Sequence, residues 1–164
     1  MFLISALILV VIALVHGARA NLKLEGRLEL VLVYLLAGYH GFIMLGVALY
    51  LLIASDRGAA MVGAPPGNPF QEFFGFAYLG MAAASILTIW LRGRYLVGPV
   101  VYWSLYFFGA TYVHIAEFSA DGRLTLVAIL KILLSHALVP CLMLGLMGWL
   151  LALSRRSAAG SATA

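Results

Sequence analysis

The feature that leaves this chain the fewest choices is a series of apolar runs, each about 18 residues or longer and nearly free of charge. At 1.5 Å per helical residue, a run of that length crosses a hydrocarbon layer about 30 Å thick. Of the 164 residues, 65% are hydrophobic and 10% charged, against roughly one-quarter charged in soluble domains. A soluble chain this short has no interior large enough to hide that surface, so lipid is the expected solvent. Within lipid, backbone amides must be satisfied inside one helix or around a closed barrel. The runs show no alternation of period two and are about twice the length of a barrel strand, which leaves helices. The expected fold class is all-α, a polytopic transmembrane helical bundle.

Five runs are expected to span, at about 1–18, 28–53, 70–91, 95–118 and 124–153, within a single domain over 1–154. A basic stretch with Arg19, Lys23 and Arg27, interleaved with Glu25 and Glu29, follows the first. The second ends at Ser55-Asp56-Arg57-Gly58, and Gly63 to Pro69 is too rich in Gly and Pro to hold a helix. Arg92-Gly93-Arg94 and Asp121-Gly122 separate the later runs, and the small-residue tail 155–164 is expected to be disordered.

Charge orients the bundle. With the amino terminus outside, Arg19, Lys23, Arg27, Arg92, Arg94, Arg155 and Arg156 are cytoplasmic, and only Arg57 and Arg123 lie outside. Seven against two places the carboxyl terminus in the cytoplasm, because cytoplasmic loops collect Lys and Arg. The alternative is a four-span protein with a cleaved signal peptide, since Ala18-Arg19-Ala20 resembles a small-x-small site. No Lys or Arg precedes the apolar core, however, and cleavage puts the basic loops on the wrong side, which favours an uncleaved first span.

The net charge of +4 forms no basic stripe, so nucleic acid is not an expected partner; the lipid bilayer is. Cys141, the single cysteine, excludes an intramolecular disulfide. Small residues recur every four positions at Ala37 and Gly41, at Gly80, Ala84 and Thr88, and at Ala137, Cys141 and Gly145. Such stripes let helices approach closely, either within the chain or in a homo-oligomer or complex with other membrane proteins.

Ionisable groups inside a membrane are costly, which makes them the candidate site residues. Glu72, His114, Glu117 and Lys131 all fall in the outer half and are expected to form an outward-facing polar pocket. His114 and Glu117 share a helix face at three-residue spacing. The pocket suits a proton path or a divalent metal of unknown identity, and the plain structural alternative pairs Glu117 with Lys131 or Arg123. His40 and His136 lie near mid-membrane at matching depth, the geometry of two axial ligands to haem b. Pro140 lacks an N–H, frees the carbonyl of His136 and is expected to kink the last helix. Asn68, Pro69 and Gln71 read as a helix start: a capping side chain, a first-turn proline and a capping-box partner. No nucleotide loop, nucleophile elbow, Cys-based metal cluster or H-E-x-x-H motif is present, so the chain is not expected to be an enzyme.

Gly67-Asn68-Pro69-Phe70-Gln71-Glu72, continuing through Gly75, Ala77, Leu79 and Gly80, resembles a family of small bacterial multi-pass membrane proteins of unknown function. The likeness extends to His114-Ile115-Ala116-Glu117 and the Pro140 region, covering roughly 28–150. Phe73 stands where that family carries an acidic residue, and Ser135 or His136 stands at a second acidic position. The resemblance implies a bacterial inner-membrane location without implying an activity. The functional expectation is a non-catalytic accessory subunit or minor transport component working through the outward-facing pocket. The alternatives are a haem b redox anchor and a purely structural subunit of a larger complex.

Overall fold

The computed structural model describes residues 2–61, 65, 66 and 69–162. Four of its helices are long and apolar enough to cross a membrane, among the described residues. They are α2 (Leu24–Ile53), α4 (Pro69–Leu87), α5 (Gly93–Ala120, opening with a 3₁₀ turn) and α6, whose apolar stretch is Leu126–Arg156. The first helix, α1 (Phe2–Arg19), has a shorter described apolar stretch, Leu3–Arg19, so the four long helices stand where five spans were expected. A short helix, α3 (Ser55–Met61), follows α2 and precedes the Gly- and Pro-rich stretch from Gly63 to Pro69, most of which lies outside the described residues. Helix α6 continues to Ala162, through the stretch expected to be disordered. Its Ala and Arg residues are strong helix formers, and that local preference extends the last helix.

Antiparallel connections give the bundle two ends. At the basic end, the Gly93 amide donates to Glu29 Oε1 at 2.7 Å, tying the start of α5 to the start of α2. Helix α1 arrives at the same end and lies along α2, with Ala6, Ala13 and Gly17 buried on one face. His16 Nδ1 sits 3.0 Å from the Tyr34 hydroxyl. The core is centred on Leu32, Leu35 and Leu36 of α2, Leu96, Val100 and Trp103 of α5, and Met143 of α6.

Helix α2 packs on α4 backbone to backbone. A Cβ at Gly41 falls 2.7 Å from Ile86 Cγ1 and 3.3 Å from the Ile86 amide nitrogen, and one at Gly75 falls 2.8 Å from Leu52 Cγ. Gly41 therefore serves the close contact its spacing predicts. Helix α4 meets α5 differently, through side chains: Trp103 Nε1 donates to Ser85 Oγ at 2.7 Å and the Tyr95 hydroxyl donates to the Ala84 carbonyl at 3.0 Å.

Candidate functional site

At the end opposite the basic one, α2, α4 and α5 part to leave a crevice of about 1120 Å³. Its three helices supply side chains at three depths. The floor is the Tyr78 and Tyr106 pair, whose hydroxyls hydrogen-bond to each other. The middle is apolar: Val47, Phe74 and Ala110, with Gly46 and Gly109, where an added Cβ meets nothing within 4 Å. The mouth carries the polar groups Tyr50, Gln71 and His114. The aromatic wall has a sequence basis, because Phe70, Phe74 and Tyr78 recur every four residues and so stack along one face of α4.

A separate line of aromatic and imidazole rings runs through α5, α6 and α2. His114 Nδ1 lies 3.4 Å from Glu117 Oε2, and the His114 ring centroid is 4.9 Å from that of His136. His136 contacts Phe107 at 6.1 Å, Phe107 contacts His40 at 5.4 Å, and His40 stacks on Trp103 at 4.6 Å. Ser135 Oγ is 2.7 Å from His136 Nδ1. His40 is fully buried, and neither ring nitrogen has a hydrogen-bond partner among the described residues.

Both buried-side histidines lie in π-helical segments. Tyr34–Phe42 holds His40, and Leu133–Ala137 holds His136. In the second, the Leu138 amide donates to the Leu133 carbonyl five residues back, just two residues before Pro140, where the missing proline N–H disrupts the α-helical ladder. The expected deformation at Pro140 is thus a widened turn.

The four residues expected to form one polar pocket do not converge. Only His114 lines the crevice. Glu117 touches His114 from an exposed position, and Glu72 and Lys131 are exposed. The reason is helical phase: at about 100° per residue, α4 turns Gln71 inward and its neighbour Glu72 outward, and α6 buries Ile132 beside an outward Lys131. The expected pairing of Glu117 with Lys131 or Arg123 is replaced by His114, while Arg123 takes Asp121. Pro69 is the first residue of α4, Gln71 is buried at the crevice mouth, and Asn68 lies outside the described residues. His40 and His136 both meet Phe107, and among the described residues no three His, Cys, Asp or Glu side chains gather as a metal site.

The crevice itself escapes a reading based on charge. Its walls are aromatic rings and glycines, and the legible signal was the Phe70, Phe74, Tyr78 stripe. A second, smaller crevice of about 650 Å³ lies between α4 and α5 nearer the basic end, with Gly80, Ala84 and Gly98 on its walls.

No curated protein and no solved structure is significantly similar to the chain. Over residues 1–159 it matches a family of unknown function (DUF6790), and the chain belongs to that family.

Proposed function

We propose that this chain is a non-catalytic transport component of the bacterial inner membrane, accepting protons at an outward-opening site built around His114. Placement in a membrane rests on the four long apolar helices and on large apolar side chains presented outward, including Leu105, Tyr112 and Leu126 at 68%, 75% and 72% exposure. Helix α1, at 18 residues about 27 Å long, serves as a fifth span beside α2, with Leu7, Val11 and Leu14 turned to lipid. Arg19, Lys23, Arg27, Arg92, Arg94, Arg155 and Arg156 collect at the basic end, which is therefore cytoplasmic, leaving the amino terminus and the crevice mouth outside.

The single observation that carries the functional reading is the position of His114, in the crevice wall and in contact with both Glu117 and His136. Histidine exchanges protons near neutral pH, and one ring accepts while its neighbour donates. Glu117 at the surface, His114 at the mouth and His136 behind it form the outer segment of a proton path; Phe107 lies between that segment and His40, and its ring must rotate aside for a proton to pass. In proteoliposomes holding a pH-sensitive dye, an imposed gradient should drive proton entry, and His114→Ala should slow it about tenfold or more with helicity and insertion intact. Entry at the wild-type rate in that variant overturns the reading.

A structural subunit is the second reading, favoured by the open face of α6, where Cys141 is exposed and a Cβ at Gly145 or Gly148 meets nothing within 4 Å. It predicts co-purifying partner subunits and silent His114 variants. A haem b between His40 and His136 requires Phe107 to leave, since its ring touches both imidazoles; a Soret band in the purified protein would call for that reading instead.

A further inference from the structure

We infer that the larger crevice binds a single-chain amphiphile, its apolar chain lying between α2, α4 and α5 and its uncharged polar head at Gln71, Tyr50 and His114. The inference rests on the membrane placement proposed above, with the crevice mouth at the outer surface. The first argument is depth. From Tyr106 at the floor to His114 at the mouth is eight residues of α5, about 12 Å, close to the thickness of one hydrocarbon leaflet. The second is the distribution of polarity. Among the described residues the middle level offers no polar side chain, so between the hydrogen-bonded hydroxyls of the floor and the mouth a polar group meets only apolar walls.

The third argument concerns the head. Among the described residues no Lys or Arg lines the crevice, whereas phosphate recognition ordinarily uses their charge-assisted hydrogen bonds. An amide and two groups that both donate and accept suit a hydroxyl, ester or amide head instead. The fourth is room: Gly46 and Gly109 both line the crevice, and a Cβ added at either meets nothing within 4 Å, so a chain can lie against the backbone there.

The test is photolabelling of the purified chain in nanodiscs with a diazirine-bearing monoacylglycerol, mapped by mass spectrometry. Label should concentrate in residues 43–51, 70–78 and 106–113. Filling the crevice by Gly109→Phe, or independently by Gly46→Phe, should lower it about tenfold, while Gly148→Phe on the open face of α6 should leave it unchanged. A diacyl phospholipid with the same diazirine should label the crevice far less. Labelling spread evenly over the lipid-facing helices, insensitivity to both filling variants, or equal labelling by the phospholipid would each overturn the assignment. Because binding is read without proton flux, a failed relay with intact labelling leaves the amphiphile site standing, and the reverse result removes the site alone.

Discussion

Helix α4 meets its two neighbours in opposite ways. Against α2 the contact is glycine on side chain and backbone, so tight that a methyl group at Gly41 would stand 2.7 Å from Ile86 Cγ1. Against α5 the helices stand apart, with a crevice toward each end and hydrogen bonds from Trp103 and Tyr95 spanning the gap near the middle and the basic end. In the membrane placement proposed above, lipid tails are as apolar as leucine, so helices are held by packing and by hydrogen bonds rather than by expulsion of water. The first seam relies on packing and the second on a few directed bonds. The looser seam is the one that leaves room for a ligand.

The largest effect should come from removing the principal bridge of the loose seam. Trp103 is 1% exposed, stacks on His40 and donates to Ser85 Oγ, so Trp103→Ala leaves a cavity and an unpaired hydroxyl. A loss of about 3–5 kcal/mol is expected, measured by equilibrium unfolding in mixed detergent and SDS micelles. A loss below about 1 kcal/mol would mean that the α4–α5 seam is held elsewhere, and the contrast between the seams would collapse.

The glycines sharpen the same contrast at smaller cost. Gly41→Val forces its methyl groups into Ile86, including the backbone nitrogen at 3.3 Å, and should destabilise by about 2 kcal/mol. Gly80→Val points into open space beside the second crevice, where nothing lies within 4 Å, and should stay within about 0.5 kcal/mol of wild type. Equal losses at the two positions would show that α4 packs as closely on one side as on the other.

These two glycines also mark how far the sequence could be read. The long apolar runs gave α2, α4, α5 and α6 directly, because length and hydropathy are properties of one segment. Gly41 and Gly80 carry the same stripe signature, yet only Gly41 meets a neighbour, since spacing says nothing about which partner stands opposite. His114 and Glu117 were legible as a pair because three-residue spacing fixes them on one face. Glu72 was misassigned because a charged type drew attention to a position one step from the face that Gln71 actually turns inward. His136, whose ring contacts that of His114, lies in a π-helical turn that no local pattern announced, although Pro140 marked where the ladder had to give.

An effect of opposite sign is expected at His40, which stacks on Trp103 beside the loose seam. Its ring stacks on Trp103 at 17° and touches Tyr39 and Phe107, and no hydrogen-bond partner for either nitrogen stands among the described residues. A buried polar group left unpaired costs about 1–3 kcal/mol, so a slightly larger apolar ring should relieve that cost while keeping the stack, less a part lost to crowding. His40→Phe should therefore raise the unfolding free energy by about 1 kcal/mol, the opposite sign to Trp103→Ala next to it. Loss of stability instead would mean that His40 donates or accepts a hydrogen bond in the folded protein, which requires water or a moved side chain to enter between α2 and α5. The tight and loose seams would then share a hydrated junction, and Phe107 would no longer separate His40 from the histidine pair nearer the surface.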